Sequence, residues 1–244
     1  TQQTTMTRRE LLGLTASSLL YASLSPLSRL AAAPATGGPR RLFFLPSDLP
    51  RIRANTRTPL LASMYAEWSA KQPRVLAKAL DTFEDSGDIV RDFGAAAREF
   101  SHSAFVQLVE PSEARKASIL AAMERFMGYP YWDYFRDGGT EVIGIQRASF
   151  LSVRLLFARE VLEGQLDPDF DKRLLGAIAE KGCLPCYRTV YDMDHPETVK
   201  GWDFDEDHAG FYDITMERWP IILGANNLRV VPTGALGLGA LALQ

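Results

Sequence analysis

The sequence lacks several features that would narrow its function at once. It has two cysteines and three histidines in 244 residues, and its formal net charge is −3. No stretch is rich in Lys and Arg. This argues against nucleic acid and a charged membrane surface as partners, because phosphate contacts need a concentrated basic surface. No repeat of fixed length is found, which argues against TPR and HEAT arrays.

Long apolar runs are also missing, and the closest approach to one lies near the N-terminus. Leu11 to Leu24 is moderately apolar but interrupted by Gly, Thr and Ser, so it is too short and too polar to span a bilayer stably. Arg8 and Arg9 precede this stretch, and Ala-x-Ala triplets ending at Ala33 and Ala35 follow it. This order is typical of a twin-arginine export signal that is cleaved after Ala33 or Ala35.

The alternatives are an ordinary amphipathic first helix and a general secretory signal with a chance arginine pair. We divide the chain into a signal peptide at 1–33, a Pro/Gly-rich linker at 34–41 and a folded part at 42–244. The prediction is a periplasmic or secreted bacterial protein, with the twin-arginine translocase as a transient partner and no stable membrane anchor. Removing 1–33 leaves 24 basic and 29 acidic residues, a net charge of −5.

Apolar residues at helical spacing dominate the rest of the chain. Ser47 or Asp48 is expected to cap a short helix with Pro50 in its first turn, and Thr58-Pro59 to begin a longer one. Further helices are predicted at about 94–109, 112–127, 141–162 and 170–179, with no convincing strand among them. The fold class is therefore all-α, either a bundle or a ring of helical hairpins with antiparallel neighbours.

Both ends of the sequence predict that the chain is the N-terminal part of a longer protein. Thr1 is not an initiator methionine, and Met6 stands directly before the arginine pair. The segment 235–244 stops inside an apolar helical pattern with no cap, glycine or proline after it.

The region from Tyr187 to Arg229 differs from the rest, because it is loop-rich, aromatic and polar. Aromatic rings beside carboxylates, amides and an arginine are how a cleft binds sugars: ring faces stack and polar groups hold hydroxyls. A solvated cover over helix ends is the alternative. The candidate substrate-binding residues are His195, Trp202, His208, Tyr212, Arg218 and Trp219.

Two further clusters leave their chemistry open. Asp203, Asp205, Glu206 and Asp207 would suit a Ca²⁺ site, an inverting glycosidase pair or a solvated acidic turn, and the spacing of an EF-hand is absent. We predict no cofactor, with a divalent cation as the alternative. Cys183-Leu184-Pro185-Cys186 would suit a redox pair, half a zinc site, a local disulfide or two packed thiols. No βαβ pattern of the kind that accompanies a thioredoxin-like motif is evident.

Two segments resemble the heparinase II/III-like polysaccharide lyases. The opening "LFFLPSDLPRIRANTRTPLLASMYAEW" is similar to that family's "LxFxxxDLxxLR" phrase, with Ile52 in place of its last leucine. "GANNLRVVPTGALGLGALAL" resembles the family's Asn-containing turn and the small-residue-rich helix after it. Together they bracket most of the chain after the signal. The resemblance implies an incomplete (α/α) toroid followed by antiparallel β-sheet domains, and β-elimination on uronic-acid polysaccharides.

The resemblance also implies site residues. Asn227 matches the residue that contacts the uronate carboxylate, with Asn226 as its neighbour or substitute. A simple turn before the last helix is the alternative for this pair. Leu228 departs from the family pattern, which often has Trp or His there. The family's acid/base Tyr and a further His would lie beyond Gln244, so the chain by itself is expected to be catalytically incomplete.

We therefore expect an exported lyase acting on an acidic polysaccharide. Because the overall charge is modestly acidic, unsulfated or weakly charged uronates such as alginate are favoured over heparin. The alternatives are a toroidal glycoside hydrolase that uses the acidic group at 203–207, and a non-catalytic glycan-binding protein.

Overall fold

The structure, a computed structural model, describes residues 41–204 and 227–243. These residues belong to one compact unit, Arg40–Gln244, which is mostly helical as predicted. The proposed signal peptide, with Arg8 and Arg9, lies outside the described residues. In chain order the elements are a 3-10 turn at Pro46–Asp48, α1 (Leu49–Asn55), α2 (Ala62–Lys71), α3 (Arg74–Ser86), α4 (Asp92–Val109), α5 (Glu113–Gly128), β1 (Phe135–Asp137), β2 (Glu141–Ile143), α6 (Arg147–Val161), α7 (Pro168–Ala177), a π-helical segment at Ile178–Cys183, α8 (Leu184–Asp194), a 3-10 turn at Pro196–Thr198, β3 (Trp202–Phe204) and α9 (Asn227–Ala242).

The core is formed mainly by α3, α4, α5 and α6. Phe93 and Phe100 of α4 make edge-to-face contacts with Phe126 of α5, at centroid distances of 5.8 and 5.4 Å. Such pairs add to the free energy gained by burying the rings, by about 0.5–1.5 kcal/mol each. Trp132, also fully buried, donates its indole N–H to the carbonyl of Phe126 at 2.8 Å. The buried donor is therefore satisfied, as its burial requires.

Several helix ends follow the local signals in the sequence. Ser112 precedes α5 with an extended backbone. Asp167 accepts the N–H groups of Asp169 and Phe170 at the start of α7, where Pro168 occupies the first turn. At the first short helix, the carboxylate of Asp48 instead accepts the N–H of Leu45, three residues before it, at 3.0 Å.

Two helix predictions need correction. The second helix begins at Ala62, not at Thr58, because Thr58 to Leu61 form a turn. The helix predicted at 141–162 begins only at Arg147, because 141–143 is strand β2. Helix α3 was not among the predicted helices, although its apolar face buries Leu76 and Leu80.

A small antiparallel sheet, in the order β2-β1-β3, contradicts the expectation of no strands. In β1, Phe135 pairs with Ile143 of β2 and with Phe204 of β3. Gly138 and Gly139 connect β1 and β2 with positive φ values of 59° and 73°, which non-glycine residues adopt with strain. Three-residue strands are too short to show an alternating pattern, so only the Asp-Gly-Gly turn pointed to this hairpin.

One helical run extends from Pro168 to Asp194, so the prediction of a loop from Tyr187 onward is wrong as far as Asp194. Pro185 lies inside this run. Proline lacks an N–H, and its ring would clash with the carbonyl four residues earlier, that of Lys181. The preceding π-helical segment widens the helix at that place, which accounts for the tolerance of proline there.

Helix α9 packs antiparallel to α8 and also contacts α6. At one end of the α8–α9 pair, Asp194 forms an ion pair with Arg229. At the other, Gly239 lies against Cys183. Within residues 41–204 and 227–243, none of the helices combines the length and apolar character that crossing a bilayer requires.

Candidate functional site

A row of three exposed rings lies along α8 and just past its end. Tyr187, Tyr191 and His195 are spaced four residues apart, which places them on one helix face. Tyr187 is 52% exposed and Tyr191 is 42% exposed, and the side chain of His195 is 47% exposed. The ring centroids of Tyr187 and Tyr191 are 6.0 Å apart, and those of Tyr191 and His195 are 4.4 Å apart. We call these three residues the ring row.

The ring row does not belong to the core, because α8 buries its other face. Cys186, Thr189 and Met193 are buried there. Aromatic rings that lie together on the surface and expose apolar area to water often mark a binding site. The spacing Tyr-x₃-Tyr-x₃-His is visible in the sequence. Tyr187 and Tyr191 were not predicted as site residues because the region was interpreted as a loop, in which this spacing has no helical meaning.

The end of the ring row lies beside the start of α9. Asp194 Oδ1 accepts from Arg229 Nη2 at 2.5 Å, and His195 Nδ1 is 3.4 Å from Glu197 Oε1. Asn227 is the first residue of α9, two positions before Arg229, and the structure describes its backbone. A charged hydrogen bond therefore connects the end of α8, next to the predicted site residue His195, with the first turn of α9, which begins at the predicted site residue Asn227.

Trp202, another predicted sugar contact, lies in the core with 1% of its surface exposed. Its indole Nε1 donates to Asp192 Oδ2 at 3.1 Å and so connects β3 to the buried face of α8. A stacking contact between this ring and a sugar would require β3 to move. Burial raises the pKa of Asp192, and the Trp202 hydrogen bond opposes that rise.

Next to the ring row, a cavity of about 290 Å³ lies between the β1–β2 hairpin and α8. Arg188, adjacent in sequence to Tyr187, lines it together with Glu141 and Lys181. The ammonium group of Lys181 donates to the carbonyls of Met127 and Tyr129 at 2.6 Å each, and burial lowers its pKa. Two cationic residues, Lys181 and Arg188, thus line this cavity, and those carbonyls hold Lys181.

The cysteine pair consists of two free thiols in this structure. Cys186 is buried 3.2 Å from Ser149 Oγ, and burial raises its pKa to about 12. Cys183 is half-buried, and burial raises its pKa as well. Thiols kept in the protonated form are poor nucleophiles and poor metal ligands. Of the alternatives for this pair, the geometry therefore favours the hypothesis of two packed thiols over a redox pair or a zinc site.

The acidic group is only partly within the described chain. Asp203 belongs to β3, opposite Arg136 in the β1 register. Asp205, Glu206 and Asp207 lie outside the described residues. Among residues 41–204 and 227–243, no three His, Cys, Asp or Glu side chains converge as a metal ion would need. The choice between a divalent cation and no cofactor stays a prediction.

The remaining candidates fall on chain that the structure leaves undescribed. These are the candidate carboxylate contact Asn226 and the candidate sugar contacts His208, Tyr212, Arg218 and Trp219. Comparison with protein-family models, with curated proteins and with solved structures found no match to this chain.

Proposed function

We propose that this chain is the helical, substrate-binding part of an exported lyase that cleaves a uronic-acid polysaccharide by β-elimination. One observation supports this most directly: the ring row ends at His195, and the adjacent residue Asp194 is hydrogen-bonded to Arg229 in the first turn of α9, which begins at Asn227. Aromatic groups with polar tips suit a chain of sugars, since rings pack on C–H faces and tips hydrogen-bond hydroxyls.

The chemistry requires a neutral donor close to the uronate carboxylate. Removing the proton α to that carboxylate builds negative charge on it, and a hydrogen bond that strengthens as the charge grows lowers the barrier. The amide of Asn227 is our candidate donor, by the resemblance of its motif. The N-terminal end of α9 adds a partial positive charge at the same place. A tyrosine or histidine would transfer the protons, as the resemblance implies.

The decisive experiment measures product chemistry with the complete protein. Alginate, polygalacturonate and hyaluronan are each incubated with it, and both the ultraviolet absorbance of unsaturated uronate and new reducing ends are recorded. Elimination gives both signals, whereas hydrolysis gives reducing ends alone. Asn227→Ala should lower the rate of elimination by about 100-fold or more, and Arg173→Gln, which removes an ion pair between α7 and Glu124 of α5, should not. An eliminase rate unchanged in Asn227→Ala would show that the assignment of Asn227 is wrong.

A non-catalytic glycan-binding protein is the second candidate, and the ring row favours it because stacking needs no reactive group. It predicts binding to one of these polymers with neither signal in the product assay. A binding isotherm recorded beside that assay separates the two proposals.

A further inference from the structure

Helices α4 and α6 run side by side in the same direction. At their N-terminal ends, Arg147 Nε and Nη2 donate to the carbonyl of Val90 at 2.9 and 2.5 Å, and Gly94 leaves room for the Arg147 side chain. Towards their C-terminal ends, Gln107 and Glu160 line one shared cavity. Residues at matching heights on the two helices are therefore neighbours across a common groove.

Three arginines follow this groove. Arg98 lies one turn after Gly94 on α4, and Arg154 lies two turns after Arg147 on α6. Burial lowers the pKa of Arg154, and the positive charges of Arg98 and Arg147 lower it further. We call Arg98, Arg147 and Arg154 the arginine cluster.

Little negative charge balances the arginine cluster. Arg147 donates to neutral acceptors, the Val90 carbonyl and Gln146 Oε1, and the carboxyl that its charge reaches is the buried Asp133. Arg98 has one carboxylate, Glu99, at 3.5 Å, and that carboxylate also accepts from Gln72 and contacts His102. Within the described ranges no carboxylate pairs with Arg154, whose guanidinium lies 5.5 Å from the ring centroid of Phe150.

A partly buried cation without a counter-charge, as at Arg154, destabilises a fold unless something else supplies the charge. A bound anion does so, and arginine suits carboxylates because its planar fork donates two parallel hydrogen bonds. Phe150, 39% exposed, adds an apolar surface beside the guanidinium of Arg154. Cations next to an exposed ring are the combination that a charged sugar needs.

We propose that the groove between α4 and α6 is a binding subsite for an acidic polysaccharide, in which Arg98 and Arg154 bind carboxylates and Phe150 contacts a sugar ring. The choice of a polysaccharide among polyanions rests on the proposed function. A nucleic acid fits less well, because the whole chain carries a net charge of −3 and the arginine cluster occupies one groove only.

The test compares an acidic polymer with its neutral counterpart. Binding of the complete chain to polygalacturonate and to fully methyl-esterified polygalacturonate is measured by titration calorimetry for wild type and for Arg98→Gln/Arg154→Gln. The double variant should bind polygalacturonate about tenfold or more weakly, with its binding to the ester unchanged. The single variant Arg98→Gln is measured as well, and Arg173→Gln is its matched control, since Arg98 and Arg173 are both 58% exposed and each substitution removes one positive charge.

Thermal unfolding provides an independent readout. Removing unbalanced charge should leave the Tm of the double variant unchanged or raise it, whereas a lower Tm would mean that the arginines hold the fold and would overturn the subsite. Equal polygalacturonate affinity for wild type and double variant would also overturn it. So would tighter binding of a single-stranded oligonucleotide with the same dependence on Arg98 and Arg154.

The outcomes also separate this inference from the proposed function. If the complete protein has eliminase activity but the double variant binds and cleaves as wild type does, only the subsite is wrong. If polygalacturonate binding depends on Arg98 and Arg154 while no elimination product forms from any polymer, the subsite stands and the lyase proposal fails.

Discussion

Gly239 of α9 lies so close to Cys183 that a Cβ at this glycine would overlap the Cys183 Sγ atom. A glycine in a helix costs about 1 kcal/mol relative to alanine, so its presence here is explained by the close approach of α9 to the start of α8. The small residues of "GALGLGALAL" are thus partly a packing requirement.

Gly239→Ala is expected to lower the free energy of unfolding by about 1–3 kcal/mol, the usual cost of overpacking. Urea unfolding followed by circular dichroism measures this change. The matched control is Gly237→Ala on the same helix, where an added Cβ meets nothing. That variant should be neutral or more stable by up to about 1 kcal/mol. Cys183→Ala should rescue Gly239→Ala, and a double variant as unstable as the single one would contradict the contact.

Asp133 should make stability depend on pH. Burial raises its pKa to about 6, although its carboxylate accepts the N–H groups of Tyr134, Gln146 and Ala148. Between the unfolded pKa of about 4 and this value, the folded protein holds a proton that the unfolded chain releases. The Asp133 contribution to the free energy of unfolding therefore falls as pH rises through that window, by about 3 kcal/mol in total.

Asp133→Asn isolates this contribution, because the carboxylates with lowered pKa, such as Asp92, are common to both proteins. The difference in free energy of unfolding between wild type and variant, measured from about pH 4 to about pH 7, should change in that direction. A constant difference would show that Asp133 titrates normally.

The two thiols should react slowly in the folded protein. Raised pKa values leave little thiolate, and Cys186 is also buried. We expect iodoacetamide at mildly alkaline pH to label Cys183 slowly and Cys186 only after unfolding in urea, as read by peptide mass spectrometry. In Cys183→Ser, the native protein should take up almost no label. Rapid labelling of Cys186 before unfolding would contradict its burial.

The ring row should matter for glycan binding and little for stability. Tyr187→Ala/Tyr191→Ala removes two exposed rings, so its free energy of unfolding should stay within about 0.5 kcal/mol per site of wild type. Its affinity for polygalacturonate should fall by about tenfold, as measured by titration calorimetry. Leu184→Ala removes exposed apolar surface one turn away without removing a ring, and should bind as wild type does. Equal losses in both variants would argue against ring stacking.

Glu160 should hold the segment that enters the fold. Its carboxylate accepts the N–H groups of Leu42, Phe43 and Phe44, at 2.6, 3.2 and 3.1 Å. Glu160→Ala should speed hydrogen exchange at these three amides by about tenfold or more, since charged hydrogen bonds contribute about 1.5–3 kcal/mol. Glu163→Ala, which removes an ion pair with Arg41, is the control. Similar exchange in both variants would contradict the role of Glu160.

The sequence predicted elements whose signals are local. Helices α4 and α5 begin and end within two residues of their predicted bounds, because their apolar spacing and the residues that precede them are visible along the chain. The β1–β2 hairpin was missed because strands of three residues are stabilised by their neighbours, and the pairing of Phe135 with Phe204 joins residues that are distant in sequence.

The candidate site shows the same division. Composition alone pointed to the region around His195 and Asn227, and the resemblance of the motif supplied only a candidate role for the asparagine. Whether Trp202 faces solvent or the core could not be read from the sequence, because its burial depends on the Asp192 hydrogen bond across two elements. The arginine cluster was invisible for a similar reason, since Arg98 and Arg154 lie 56 positions apart along the chain.

By itself, then, the sequence determined the helical class, the acidic balance and the small-residue character of the last helix, and its arginine pair led to the prediction of an export signal. Periodicity and composition are properties of short segments, and they survive without a partner. Only the tertiary structure decided which rings are exposed, which carboxylates are buried and which arginines share a groove. Burial and charge proximity depend on the packing of helices against each other, as α4 packs on α6 and α9 on α8.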